Sequence, residues 1–189
     1  MTSATAIEFG SFNPRRNLPE AVSRKRGESN FVGAFQRFFT AGREGQGVGG
    51  RHFELAGYGI ADFVWMEFGD HGNHADAAAN EPVLTAFEMK LKDWRRAFSQ
   101  AYRYSYFSNR AIVVLPKNVA NRANEHLDFF KRLGIGLWSY EPKSDIIDRV
   151  FTPPVARAKS PAAREKALSR ICQRQTGERF TALRKRARD

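Results

Sequence analysis

Two short apolar runs, Ala111 to Pro116 (AIVVLP) and Ile135 to Tyr140 (IGLWSY), most constrain what this chain can fold into. Neither alternates apolar with polar residues, so each reads as a strand covered on both faces, the usual condition of a strand in a parallel arrangement. Each follows an amphipathic helix. Trp94, Ala97, Phe98, Ala101, Tyr104 and Phe107 keep the helical step before the first run, and Asn118 to Leu133, stopped at Gly134, precedes the second. Strands that alternate with helices imply right-handed crossovers and helices packed on a sheet.

Upstream, Phe31, Phe35, Phe38 and Phe39 recur at three- and four-residue steps, the apolar stripe of a helix from Ser29 to about Ala41-Gly42. The glycines of GREGQGVGG have no strand before them and no Gly-Lys-Ser/Thr after them, so they read as a flexible connector rather than a phosphate cradle. RHFELAGYGIADFVWMEF holds two β-like runs about Gly57-Tyr58-Gly59, as a tight hairpin or a bulged bend requires. DHGNHADAAANEP is a loop, and VLTAFEMKLK a third β-like run. The order helix, three strands, helix, strand, helix, strand predicts an α/β fold built on a mixed sheet.

The 189 residues suit one well-buried core. We place it at 29–145, with an arm over 1–28 and a basic helical extension over 151–189. The extension carries 11 Lys and Arg against 3 Asp and Glu, a net of +8. It reads as one or two helices, around Ala162 to Cys172 and Arg179 to Ala187, with a joint at Thr176-Gly177 and Leu168, Ile171, Phe180 and Leu183 docking on the core. Over the whole chain 31 Lys and Arg against 20 Asp and Glu give +11, which points to a polyanionic partner, nucleic acid first and an anionic membrane surface second. No run approaches the roughly 20 apolar residues that span a bilayer, and the N-terminus lacks the basic-then-apolar order of a secretory signal, so a cytoplasmic protein is expected. The single cysteine, Cys172, has no partner for an internal disulfide and no nearby base, which fits a reducing compartment and argues against a thiol enzyme.

Charge in the predicted core strands carries the chemistry. Asp62 sits among Ile60, Phe63 and Val64, and Glu88 and Lys90 share one face of the third run by two-residue alternation. Buried carboxylates are costly unless paired, metal-bound or placed at an open end of the sheet. Adjacent strands bring Asp62 beside Glu88, where a cation between them relieves their repulsion; oxygen ligands with retained waters suit Mg²⁺. A lysine at that place orients or deprotonates a water, or neutralises charge on a phosphate. The competing reading is a solvent-facing pair of hydrated charges, which fits Lys92 and Asp93 better than Glu88 and Lys90. His71 and His74, with Asp70 and Asp76, suggest zinc at first sight, but their spacing matches no closed site and a loop tip is the better reading.

At these residues the chain resembles the PD-(D/E)XK nuclease superfamily, with its restriction-endonuclease-like fold. The resemblance rests on the element order from about Ser29 to Tyr140, on Asp62 in the second strand with Ala61 where a proline often stands, and on Glu88-Met89-Lys90 as E-x-K. It also rests on Gln100-Ala101-Tyr102-Arg103-Tyr104 as the Q-x-x-x-Y of RecB-like members. It implies an α-β-β-β-α-β-α-β core and Mg²⁺-dependent hydrolysis of DNA, with Mn²⁺ as a substitute. Asp62, Glu88 and the Met89 carbonyl would hold the metal, Lys90 would serve the attacking water, and Gln100 and Tyr104 would contact DNA or brace the site. A further acid from the first helix is expected of the family, with Glu28, Glu20 and the strand residue Glu54 as candidates. Arg95, Arg96 and Arg103 are basic residues on the same helix that would meet phosphates, while amphipathic core packing explains most of that helix. Members of this superfamily often cut as homodimers, an arrangement the resemblance allows here. A non-catalytic DNA-binding or regulatory module on the same scaffold is the alternative.

Overall fold

The computed structural model describes residues 19–43, 46–67 and 81–186, with side chains over 27–43, 46–67 and 81–173. Within them the chain is α/β, with a six-stranded mixed sheet and five helices. The elements run α1 (Pro19–Thr40), β1 (Gly47–Leu55), β2 (Gly59–Glu67), β3 (Val83–Met89), α2 (Trp94–Tyr104) and β4 (Arg110–Leu115). Then come α3 (Lys117–Asn124), α4 (Leu127–Leu133), β5 (Ile135–Glu141), β6 (Ile146–Phe151) and α5 (Pro161–Arg186).

The sheet follows the chain, in the order β1-β2-β3-β4-β5-β6. β3 with β4 and β4 with β5 are parallel and the other neighbours antiparallel. The two parallel steps are those bridged by helices, because a strand that re-enters in the same direction needs a crossover long enough to return the chain. Alternation along the strands sends side chains to two cores. Ala86, Val113 and Leu137 face Ala97, Ala101 and Tyr104 of α2, Val119 and Ala123 of α3, Phe130 of α4 and Ala167 and Ile171 of α5. Phe63, Trp65, Phe87, Ile112 and Trp138 face Phe31, Val32, Phe35 and Phe39 of α1.

Several boundaries differ from expectation. α1 starts at Pro19, ten residues before Ser29; proline fits a first helical turn, whose N–H is unpaired in any case, but no apolar stripe marks those residues. The arm expected over 1–28 therefore overlaps the helix. Gly47 to Gly50 belong to β1 and are not a connector: a Cβ on Gly49 would stand 2.7 Å from the Trp65 ring and from Val64 O. The glycines let β1 lie close under that indole. The helix expected from Asn118 to Leu133 is interrupted at Glu125 and His126, whose imidazole stacks on Trp94 at 5.1 Å, and it ends at Gly134 in the left-handed conformation, φ 67°. β6 was not anticipated, since it is a largely exposed edge strand carrying Asp148 and Arg149, the charged character that blunts sheet edges. α5 is one continuous helix through Thr176 and Gly177. Leu168 and Ile171 dock on the core and Cys172 is exposed; the side chains of Phe180 and Leu183 lie outside the described residues.

The hub of the α1 face is Phe35, fully buried, with ring centroids 5.4 to 6.4 Å from those of Phe39, Phe63, Phe87 and Tyr140. Truncation there removes packing from both the helix and the sheet. Phe35→Ala is expected to lower stability by about 3–5 kcal/mol, read as a drop in the urea midpoint at an unchanged slope.

Candidate active site

β2 and β3 are registered with Phe63 opposite Phe87, so one further step sets Asp62 opposite Glu88. The main-chain ladder stops at that step. Instead Asp62 Oδ2 accepts the Met89 N–H at 2.8 Å, a side chain standing in for the missing backbone acceptor. The alternation also breaks there: Ala61 packs in the α2-side core and Phe63, two residues on, in the α1-side core. β1 breaks at the same level. Arg51 Nη1 lies 3.3 Å from where a Cβ on Gly33 of α1 would stand, Phe53 packs on the α2 side, and His52 between them has φ 56°. His52 is the residue opposite Asp62, because the β1/β2 hairpin is centred on Gly57.

Lys90 follows β3 directly rather than lying within it. Its Nζ stands 2.8 Å from Glu88 Oε1 and donates to Met89 O at 3.1 Å, with Asp62 Oδ2 and Glu28 Oε2 each at 3.9 Å. Lys90, Asp62 and Glu28 keep 15%, 21% and 39% of their side-chain surface, whereas Glu88 keeps 1% and is the enclosed member of the group. From α2, the buried Tyr104 hydroxyl lies 2.6 Å from both Ile60 O and Glu88 Oε2. A phenol has one proton for these two short contacts. A protonated Glu88 resolves the conflict by donating back to the hydroxyl.

The titration of the group agrees with that geometry. Burial first, and then the charge of Asp62, push the Glu88 carboxyl up to about 7 against the opposing pull of Lys90 and Tyr104. Burial also raises Asp62, against Lys90, the Met89 N–H and His52. Burial alone would lower Lys90, but Asp62 and Glu88 outweigh it, so its pKa lies above the ordinary value and the side chain is an ammonium at neutral pH. Burial and Glu88 raise Tyr104, which stays a neutral donor.

The donors fit a hard divalent cation: two carboxylates and a carbonyl, all oxygen, with one carboxylate held at a proton affinity that a nearby positive charge would relieve. Among the described residues no group of three or more Asp, Glu, His or Cys side chains is arranged to hold a metal ion, so most of the coordination at Asp62, Glu88 and Met89 O would be left to water, as Mg²⁺ accepts.

The other anticipated residues fall as follows. Glu28 belongs to α1 and reaches Lys90, which makes it the nearest further acid. Glu54 does not join the group; its largely exposed carboxylate points to Arg170 of α5, 4.0 Å away. The Glu20 side chain and the loop with Asp70, His71, His74 and Asp76 lie outside the described residues. Tyr104 is fully buried against Glu88, the geometry of a brace. Gln100, on the same helix, is half-buried with its Oε1 enclosed and without a hydrogen-bond partner among the described residues. Arg95, Arg96 and Arg103 are exposed on α2; Arg95 lies 4.5 Å over the Trp94 ring, and the Arg96 N–H is capped by Asp93 at 3.0 Å. His52 was not singled out in the sequence, although counting outward from Gly57 places it opposite Asp62.

Searches of protein-family models, of curated proteins and of solved structures find no match to this chain. Among the described residues no helix is long and apolar enough to cross a membrane.

Glu88 gives a signed pH dependence. The folded chain holds its proton up to about pH 7, whereas an unfolded chain releases it near 4.5. The stability this group contributes is therefore complete below about pH 4.5 and is lost as pH rises through 7, on the order of 3 kcal/mol by linkage. In EDTA, Glu88→Gln is expected to raise the melting temperature relative to wild type at pH 8, with the difference shrinking at pH 5. Parallel melting curves across that range would contradict the assignment.

Proposed function

We propose that this protein is a Mg²⁺-dependent DNA nuclease that hydrolyses phosphodiester bonds, on a restriction-endonuclease-like fold of the PD-(D/E)XK type. One observation carries the reading: Asp62, Glu88 and the Met89 carbonyl meet the Lys90 ammonium at the open end of β3. The +11 net charge supports a polyanionic substrate. Mg²⁺, for which Mn²⁺ would substitute, would when bound activate a water and withdraw charge from the phosphate. Asp62 and Glu88 would hold and orient the ion. Tyr104 fixes Glu88 Oε2, and the Met89 N–H fixes Asp62 Oδ2, so neither carboxylate must reorganise as charge develops. Lys90, protonated in the structure as it stands, donates to the attacking water or to a phosphate oxygen and does not act as the base. Arg95, Arg96 and Arg103 offer charge to the flanking phosphates.

A second reading has its own observation. Lys90 already pairs with the carboxylates, as in a self-neutralised site, which fits a DNA-binding or regulatory module that does not cleave. Calorimetry separates the two, since only the nuclease reading requires Mg²⁺ binding that Asp62→Asn removes. Under the nuclease reading, Lys90→Ala retains the circular dichroism spectrum and DNA affinity but cuts Mg²⁺-dependent plasmid nicking on the order of 10²-fold or more. Unchanged nicking would sink the assignment.

A further inference from the structure

A second cluster of charge lies at the C-terminal end of α1. Arg43 just beyond the helix, Arg110 at the start of β4 and Arg149 on β6 line a pocket of about 80 Å³ with Glu67, Thr85 and Thr152. Among the described residues no carboxylate is within ion-pair distance of any of the three guanidinium groups. Each is held by other contacts. Arg110 Nε donates to Pro153 O at 3.1 Å, Arg43 donates to Phe39 O and lies 4.3 Å over that ring, and Arg149 lies 4.8 Å over Trp138. Trp138 is itself tied to Thr152 Oγ1 at 2.8 Å.

Gathering like charges in a partly buried place is unfavourable unless opposite charge joins them. Burial and the charge of Arg149 both lower the Arg43 pKa, and Glu67 offsets only part of this. The space equals a few water molecules at about 30 Å³ each, enough for a five-atom tetrahedral anion and too little for a nucleoside. It adjoins a broader groove that shares Phe39, Arg43 and Arg149 and extends past Phe38 and Ile146, so an ester group on the anion has a way out.

The site is separate from Asp62, Glu88 and Lys90. Phe87, Ile112 and Trp138, which line the pocket, face α1, whereas Glu88 faces Tyr104 of α2. Along α1 the rise from Glu28 to Thr40 is ~18 Å. We propose that Arg43, Arg110 and Arg149 bind a tetrahedral oxyanion of the phosphate class, either free phosphate or the terminal phosphate of a nucleotide chain. Guanidinium forks match such oxygens in pairs.

Calorimetry at constant NaCl and without divalent metal tests this with four probes: inorganic phosphate, a nucleoside 5′-monophosphate, and a short oligonucleotide with and without a 5′-phosphate. Wild type is expected to bind phosphate, or to prefer the phosphorylated probe over its unphosphorylated twin. Arg149→Ala and Arg43→Gln should each weaken that binding by about tenfold or more. Binding of inorganic phosphate assigns the free anion; preference for the 5′-phosphorylated oligonucleotide without it assigns the chain end. Equal affinity in wild type and the arginine variants overturns the proposal, as does failure to bind any phosphate-bearing probe more tightly than the unphosphorylated one. Should Arg43→Gln fail to fold by circular dichroism, Arg149→Ala on the edge strand decides the outcome.

Discussion

Glu88 lies in the middle of the sheet, between β2 and β4, with no exposure to solvent, and its surroundings follow from the cost of holding a carboxyl there. One oxygen is met by Lys90, which can reach back because β3 ends one residue earlier; the other is met by Tyr104 from across the α2 interface. These contacts do not cancel the cost, since the carboxyl still titrates near 7. A group held in a charged-competent geometry but short of full stabilisation is poised to gain from a cation, and active sites commonly sacrifice stability in this way.

The same end of the sheet shows how the backbone makes room. If β1 and β2 had kept their alternation, Asp62 would continue the ladder and its side chain would follow Val64 and Met66 into the α2-side core. The break at Asp62, matched by His52 at φ 56°, releases the Met89 N–H from the ladder and lets the Asp62 carboxylate take it. A left-handed residue that is not glycine costs of order 1–3 kcal/mol. Here the distortion turns an apolar strand end into one that presents an acid beside another acid.

This also explains which features were legible in the sequence. Covered parallel strands and amphipathic helices announce themselves by period, so β4, β5, α2 and the phenylalanine face of α1 follow directly from the residues. The placement of Asp62 opposite Glu88 follows from hairpin and neighbour logic. β6 was hidden because its charges mask the apolar positions, and the start of α1 because its first turns bear no stripe. The role of Tyr104 was hidden for another reason. A tyrosine at a helical step reads equally as packing or as a ligand contact, and only burial against Ile60 O and Glu88 makes it a brace. Glu28 required the helix to begin earlier than its hydrophobic face does.

α1 connects these observations. Its phenylalanines bind its C-terminal half to one face of the sheet, so the charges on either side of them keep a fixed separation. Near its middle Glu28 adds an acid to the neighbourhood of Lys90; beyond its C-terminus Arg43 stands with Arg110 and Arg149. Carboxylates gather at the first of these places and guanidiniums at the second. The rise of α1 from Glu28 to Thr40, ~18 Å, keeps the two from neutralising each other. A helix that served only to cover apolar surface would need neither cluster, because its aromatic face already supplies the packing.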